Sequence, residues 1–278
     1  MFKILALISI IALGAFAAGD ATFEASKRDL NIPAIIMFFV FIAGTLGVTY
    51  WAAKKTKSAS DNNILLFHIF ENELLDDTKY NIWLSMINNK LGLSNKIYAR
   101  KCIIKEIKSS ESNLFIFNNH MQGIRNAEIK LGLFYDNELV SVMTFGKPLQ
   151  NLEYEYELIR FCNKLNTNVI GAASKLLKYF EKNYKPTSII SYANRRWSNG
   201  DLYKTLNFKC LGETEPNKFI ISDKKLYSRI NFQKHKLKDK LKIYDDNLTA
   251  DENIINNDYR IIWDSGNFIF GKLIHKEY

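Results

Sequence analysis

Residues 155–183, EYELIRFCNKLNTNVIGAASKLLKYFEKN, decide the class of fold that this chain can adopt. Polar and apolar side chains alternate from Glu155 to Cys162 with the two-residue period of a strand. From Val169 to Asn183 the apolar residues instead recur at helical spacing, and Pro186 lies just beyond the end of that helix. The predicted buried stripe of the helix consists of Ala173, Leu176, Leu177 and Phe180. A strand followed closely by an amphipathic helix is typical of an α/β domain.

The segments on either side extend this pattern into a mixed sheet with helices. Two strand-like runs flank Asp136-Asn137, a pair that tolerates turn conformations, so residues 129–145 predict a hairpin. The other predicted elements are a strand at Cys102–Ile107, a helix at Glu111–Asn119, a strand at Ser188–Ala193, a short helix at Gly200–Leu206, and two closing strands at Lys218–Ile221 and Leu226–Phe232. The sequence therefore predicts an α/β (α+β) fold, with a mixed sheet flanked by helices.

Two short motifs accompany this order of elements. The loop Asn168-Val169-Ile170-Gly171-Ala172-Ala173 lies between the strand and the long helix, and Leu202-Tyr203-Lys204-Thr205-Leu206-Asn207-Phe208 covers the short helix. With the order of elements, they resemble the acyl-CoA N-acyltransferase superfamily, usually called GNAT-like. The loop is similar to the family's Gln/Arg-x-x-Gly-x-Gly/Ala loop, and the second motif is similar to its tyrosine-containing helix that ends in Gly-Phe. Asn168 and Asn207 depart from the family's residues at their positions.

The GNAT-like resemblance implies a cofactor, acetyl-CoA or another acyl-CoA, and a role for each motif. Tyr203 would protonate the departing CoA thiolate, and Glu157 lies on the strand that supplies a base in many members of the family. The residues whose loop and helix N-terminus would hold the pyrophosphate are Asn168, Val169, Ile170, Gly171, Ala172, Ala173 and Ser174. Three structural explanations stay open: tight strand–helix packing for the loop, an interface aromatic for Tyr203, and an ion-paired carboxylate for Glu157.

The stretch from Lys224 to Lys242 is strongly basic, with Asp239 as its one acidic residue, and the whole chain has a formal net charge of +9. Such a density of positive charge attracts polyanions, so we predict contacts with nucleic acid, DNA in particular. The candidate nucleic-acid contacts are Lys234, His235, Lys236, Lys238 and Lys240. A solvated helix face, or attraction to anionic lipid, is the alternative.

The first part of the chain has a different composition. Residues 1–18 have the early cation and apolar run of a signal peptide, and residues 19–31 form a charged extracytoplasmic spacer. Residues 32–53 carry no charge and, at about 1.5 Å per residue, are long enough for a transmembrane helix, although a buried helix is the alternative. Lysines follow at once, so the positive-inside rule predicts a single span in the inner (cytoplasmic) membrane, with the soluble domain in the cytoplasm.

This apolar part also carries a resemblance to a family. Ile32–Phe41 and Thr45–Lys55 resemble the first span of the cation/acetate symporters of the sodium:solute symporter family, over about residues 1–61. Such transporters build their substrate site between several membrane helices, and this sequence has a single predicted span. We therefore expect no transport by this chain.

Another resemblance covers about residues 63–270. His68-Ile69-Phe70-Glu71, Ile97–Cys102, Gln233–Leu237 and Tyr259–Asn267 look like the C-terminal part of phage homing-endonuclease-associated proteins. Residues 62–99 would be a nuclease tail with a strand at Ile64–Phe70 and a helix after it. The metal-binding half of that nuclease would lie upstream, so we expect no DNA cleavage, and the scattered cysteines and histidines predict no metal site.

Three functions remain open from the sequence. The first is a membrane-tethered, nucleic-acid-binding protein of mobile-element origin; the second is an acyl-CoA-dependent N-acyltransferase. The third is a remnant of an acetate permease without activity. In each case the GNAT-like domain is predicted to span residues 100–232, and residues 233–278 are predicted to form a basic C-terminal extension.

Overall fold

The computed structural model describes residues 66–222 and 225–274. The predicted signal-like segment, spacer and transmembrane helix, and the symporter-like residues 1–61, lie outside these residues. Within the described ranges, no helix combines the length and the apolar character that a membrane crossing requires.

Strands and short helices alternate along the described residues. In chain order the strands are β1 (Asn95–Tyr98), β2 (Ile103–Glu106), β3 (Ile129–Tyr135), β4 (Glu138–Gly146), β5 (Tyr156–Asn163), β6 (Thr167–Ile170), β7 (Ser188–Asn194), β8 (Lys209–Glu213), β9 (Lys218–Ser222), β10 (Lys225–Ser228), β11 (Arg260–Trp263) and β12 (Asn267–Leu273). The α-helices are α1 (Glu71–Leu74), α2 (Asp77–Lys90), α3 (Ser109–Asn119), α4 (Ala172–Tyr184), α5 (Asp201–Thr205), α6 (Lys234–Leu237) and α7 (Ala250–Ile255). Two 3-10 helices cover Ala99–Lys101 and Arg229–Phe232.

A seven-stranded mixed sheet is the largest assembly in this structure, and its strand order is β2-β3-β4-β5-β7-β12-β8. Neighbouring strands are antiparallel except for β5 and β7, which run parallel. Helix α4 makes the connection between these two parallel strands. The predicted arrangement of a mixed sheet flanked by helices is therefore confirmed.

The sheet is covered by a helix on each face. Val142 and Met143 are adjacent in β4 and point to opposite faces, as neighbouring strand residues do. Met143 belongs to the core beneath α4, in which Phe180 stacks on Phe145 with ring centroids 3.7 Å apart. Val142 instead packs against Ile116 of α3. The amphipathic stripe predicted for α4 is thus the stripe that the core buries.

The strand that completes the sheet comes from a part of the chain assigned to the C-terminal extension. β12 lies between β7 and β8, beyond residue 232, at which the GNAT-like domain was predicted to end. Gly271 makes the insertion possible, because a Cβ there would lie 2.6 Å from the Tyr154 hydroxyl oxygen and 2.8 Å from Leu211 Cδ1. The two predicted closing strands do not join this sheet.

Those two segments belong to a separate three-stranded sheet of order β10-β9-β11. Lys218–Ile221 lies in β9, whereas Leu226–Phe232 divides into β10 and the second 3-10 helix. A second apolar cluster joins this sheet to the following residues, and its buried members are Ile220, Phe232, Leu237, Leu241 and Ile254. The basic stretch is therefore attached to a folded unit by alternating apolar side chains.

Two further elements differ from the sequence predictions. Residues 66–70 of the predicted strand form no strand; the His68 amide donates instead to the carbonyl of Arg196, which lies in a loop after β7. Helix α4 begins at Ala172 rather than at Val169. The residues before it, three of which are β-branched, form β6, which pairs in parallel with β1.

Candidate functional site

The parallel strands β5 and β7 separate soon after they meet. Their described pairing joins Tyr156–Leu158 to Ile189–Ser191, beyond which β5 continues to Asn163 and β7 to Asn194. A cavity of about 190 Å³, called here the fork cavity, lies where they diverge. Its lining includes His120, Leu158, Arg160, Tyr192, Trp197 and Tyr203. The divergence leaves a length of strand edge beside an opening, where an extended ligand can bind to backbone groups.

Tyr203 of α5 reaches the point at which the strands separate. The Ser191 hydroxyl lies 2.8 Å from the carbonyl oxygen of Leu158 and 2.9 Å from the Tyr203 hydroxyl. A serine hydroxyl carries one proton. The Leu158 carbonyl can only accept, so the serine proton goes to that carbonyl, and the Tyr203 hydroxyl can then donate its own proton to Ser191 Oγ at the mouth of the fork cavity.

The ring of Tyr203 is fixed by its neighbours. It stacks on Phe270 of β12, with centroids 4.7 Å apart, and makes an edge contact with Phe208 at 5.7 Å. Burial raises the pKa of Tyr203, against opposing effects of the Ser191 hydrogen bond and the nearby Arg160. The hydroxyl therefore keeps its proton at neutral pH. Its role as an acid remains a prediction, and the position agrees with that role.

A larger cavity of about 480 Å³ opens beside the fork cavity and shares Gln122, Leu158, Ile159, Arg160 and Tyr192 with it. We call it the Arg125 cavity. Glu157 lies in its wall with a side chain only 4% exposed, and both carboxylate oxygens accept hydrogen bonds from Arg125, one at 2.8 Å. The predicted base is thus held in a bidentate ion pair, which fixes the direction of the guanidinium. Glu157 as a base remains a prediction.

Arg160 is a site residue that the sequence analysis missed. It lies in β5 and lines both cavities. Its Nε donates to the Gly123 carbonyl at 2.9 Å, and its Nη1 donates to the Ile159 carbonyl at 2.8 Å. Burial, and then the neighbouring charge of Arg125, lower the pKa of Arg160 to about 10, so it stays cationic at neutral pH. The same strand contains Glu157 and Asn163, so an arginine in it did not by itself indicate a site residue.

His120, at the end of α3, is a second residue that the sequence analysis did not select. Its Nδ1 accepts a hydrogen bond from the Gln122 amide at 3.2 Å, which requires that nitrogen to be unprotonated. Burial, with a smaller contribution from Arg160, lowers the pKa of His120 to about 3. The imidazole at the edge of the fork is therefore neutral across the physiological range.

A third cavity, of about 260 Å³, continues from the fork cavity past His120, Phe161 and Trp197. We call it the α2 cavity, because helix α2 forms one of its walls. The remaining lining residues are Phe67, Ile82, Ser85, Met86, Asn89, Lys90, Asn119, Met121, Cys162, Asn163, Lys164, Leu165 and Thr167. Together with the fork cavity it forms a channel along β5.

The predicted pyrophosphate loop lies close to this channel but outside its lining. The structure describes Asn168–Ser174 completely, and none of these residues lines the three cavities. Asn168, Val169 and Ile170 pair with β1, while Val169, Ala172 and Ala173 are buried. Gly171 adopts φ +82° at the start of α4, and a Cβ there would meet only Ala99, at 3.8 Å. Cofactor binding by this loop remains a prediction.

The five candidate nucleic-acid contacts lie on and after α6. Lys234, His235, Lys238 and Lys240 are exposed, and Lys236 is half-buried. Two of the lysines donate to backbone carbonyls, Lys234 to Asp246 at 3.2 Å and Lys236 to Ile230 at 3.0 Å. Arg229, which begins the preceding 3-10 helix, lines the Arg125 cavity. One residue of the basic stretch therefore lines that cavity.

Comparison with known proteins places these residues within one family model. A model described as the Mom protein family matches residues 101–263. Among solved structures, a GNAT family acetyltransferase from Elizabethkingia anophelis with acetyl-CoA bound is 14% identical, with 63% of this chain and 99% of that chain covered and a TM-score of 0.36. A Bacillus subtilis acetyltransferase in complex with CoA is 13% identical, with 63% and 100% covered and a TM-score of 0.34.

Proposed function

This chain belongs to the Mom protein family, and we propose that it is an acyl-CoA-dependent N-acyltransferase whose reaction takes place in the fork cavity. The observation that carries the proposal is the position of Tyr203. Its hydroxyl lies at the point where the single parallel strand pair of the described sheet separates, 2.9 Å from Ser191. A general acid is useful there because the leaving group of acyl transfer must accept a proton.

The shape of the site supports a long, narrow ligand. The fork cavity and the α2 cavity share three residues and follow the edge of β5 from Leu158 towards Thr167. Beyond Leu158 that edge has no described pairing with β7. The Ile159 and Cys162 carbonyls accept hydrogen bonds from Arg160 and Ser141, and the other backbone groups of the edge can bind an extended chain of amides. An acyl-CoA would supply a thioester carbonyl and a thiol leaving group at the fork. These residues fit such a ligand.

Three side chains around the fork have separate roles in the proposed reaction. Tyr203 holds a proton in a position to donate it when the carbon–sulfur bond breaks and the new carbon–nitrogen bond forms. Arg160 keeps a fixed positive charge between the fork and Arg125 cavities, where it can stabilise developing negative charge. Arg125, oriented by Glu157, faces the larger cavity, which has room for the acceptor.

Calorimetry with acetyl-CoA on the full-length chain tests the proposal, with release of free thiol as the measure of turnover. We expect saturable binding, and we expect Tyr203→Phe to retain that binding while turnover falls by about 10²- to 10⁴-fold, since it removes only the acidic proton. Tyr227→Phe, in the separate three-stranded sheet, is the matched control and should leave both measurements unchanged. No saturable binding at millimolar acetyl-CoA would refute the proposal.

A second candidate function is nucleic-acid binding by the basic stretch. It is favoured by the exposed side chains of Lys234, His235, Lys238 and Lys240, and by the position of Arg229 in the lining of the Arg125 cavity. Such binding would bring a polyanion to the acceptor side of the fork. Binding to duplex DNA should weaken steeply as salt rises, and the salt dependence should become shallower when Lys234, Lys238 and Lys240 are replaced by alanine. Equal salt dependence in both proteins would refute this candidate.

A further inference from the structure

A buried ion pair attaches the segment before the main sheet to the site. Glu73 of α1 and Arg196, in the loop after β7, are 4% and 5% exposed. Arg196 Nη1 donates to Glu73 Oε1 at 2.9 Å, Nη2 donates to the other carboxylate oxygen, and Nε donates to the His68 carbonyl at 2.9 Å. The indole nitrogen of Trp83 also donates to Glu73, at 3.1 Å. These hydrogen bonds fix the segment that contains α1 and the first half of α2 against the loop after β7.

Aromatic rings extend this attachment to the cavities. The Arg196 guanidinium lies 3.8 Å from the centroid of Phe70. Trp83 makes edge contacts with Phe67 at 5.8 Å and with Trp197 at 5.7 Å. Trp197 lines both the fork cavity and the α2 cavity. One wall of the channel is consequently set by residues that precede the main sheet.

Helix α2 also contacts the loop that leaves β5. The Ser85 hydroxyl accepts a hydrogen bond from the Asn166 amide at 2.7 Å, and Asn119 of α3 accepts one from the Leu165 amide at 2.7 Å. These side chains therefore occupy the amides of Leu165 and Asn166. A ligand anion in the α2 cavity must find other partners.

The charged side chains of the α2 cavity are of one sign. Lys90 of α2 and Lys164 after β5 line it, and none of the described residues that line it is an aspartate or glutamate. Lys164 pairs with Glu138, but both side chains are largely exposed, at 44% and 58%, so this pair contributes little. Two lysines from separate elements thus give the end of the channel a positive potential that favours phosphate groups.

We infer that Lys90 and Lys164 bind the phosphate groups of acyl-CoA in the α2 cavity, and that the segment Phe67–Lys90 is a structural part of the cofactor site. This rests on the proposed function.

Isothermal titration of the full-length chain with CoA and with pantetheine, which lacks the phosphates, tests this assignment. In the double variant Lys90→Ala with Lys164→Ala we expect the affinity for CoA to fall by about 10- to 100-fold, because each lysine would lose a charge-assisted contact. The affinity for pantetheine should change less than about twofold. Lys178→Ala with Lys182→Ala, on the exposed side of α4, is the matched control.

The outcomes separate the two proposals. If the unchanged chain binds no CoA, both the function and this site are refuted. If it binds CoA and the Lys90/Lys164 variant binds equally well, or loses pantetheine to the same extent, the phosphate site is refuted and the function stands. Labelling of lysines by an amine-reactive ester provides a second readout, in which CoA should protect Lys90 and Lys164 but not Lys178.

Discussion

Replacing Glu73 by glutamine should destabilise the folded chain strongly, although the two side chains have nearly the same shape. The carboxylate accepts four hydrogen bonds, two from Arg196, one from Trp83 Nε1 and one from the Phe70 amide at 3.2 Å. Glutamine removes the charge and turns one acceptor into a donor, so the buried Arg196 loses its counter-charge. Breaking a buried pair in this way costs about 3–5 kcal/mol. For a folded unit of this size that corresponds to a fall in Tm of roughly 6–20 °C.

Urea unfolding of the full-length chain, followed by tryptophan fluorescence, measures the effect, since Trp83 and Trp197 lie at the ion pair. Glu71→Gln is the matched control in the same helix; it is exposed, and we expect a change within about 0.5 kcal/mol. The double variant Glu73→Leu with Arg196→Met should be more stable than either single variant, because it leaves no unpaired buried charge. A loss below about 1 kcal/mol for Glu73→Gln, or simple additivity in the double variant, would refute the reasoning.

Two other measurements follow from the structure. His120 has a pKa of about 3 in the folded chain, against an ordinary value of 6.5. Below pH 6.5 the unfolded chain therefore binds a proton that the folded chain does not. The free energy of unfolding should fall as the pH drops through this range, by up to about 1.4 kcal/mol per pH unit. In His120→Asn this fall should be smaller between pH 7 and 5.5, and identical slopes would contradict the assignment of a neutral imidazole. Gly271→Ala should cost about 1–3 kcal/mol, because its methyl group meets the Tyr154 hydroxyl and Leu211. The cost should be lower in a Tyr154→Phe background, and an equal cost in both would show that the hydroxyl is not the obstacle.

Most of the correct fold predictions came from the local periodicity of apolar residues. The strand at β5 and the helix at α4 were predicted within a few residues, because their patterns lie within one element. β12 was missed because its partners are remote: it pairs with β7 and β8, and Phe270 stacks on Tyr203, more than sixty positions earlier. The basic composition after Lys224 also suggested a domain boundary at residue 232, but the seven-stranded sheet includes β12, which lies beyond that residue.

The residues of the candidate site likewise divide into those that the sequence could indicate and those that it could not. Tyr203 could be selected from its motif, and the structure brings it to the fork. Arg160 and His120 could not, because their properties come from burial and from each other rather than from spacing in the sequence. The contribution of α2 to the cavity wall could not be predicted from the sequence either, because the hydrogen bond between Ser85 and Asn166 joins residues 81 positions apart.

The position of β12 has a consequence for synthesis on the ribosome. β8 pairs with no strand of the main sheet other than β12, and β12 is made more than fifty residues later. While residues 267–273 are still in the exit tunnel, β7 and β8 each present an open edge to other nascent chains, which is a hazard for association. The fork can close around Tyr203 only after translation has passed Phe270, so a ribosome stalled shortly before that codon would carry an almost complete chain without a finished site.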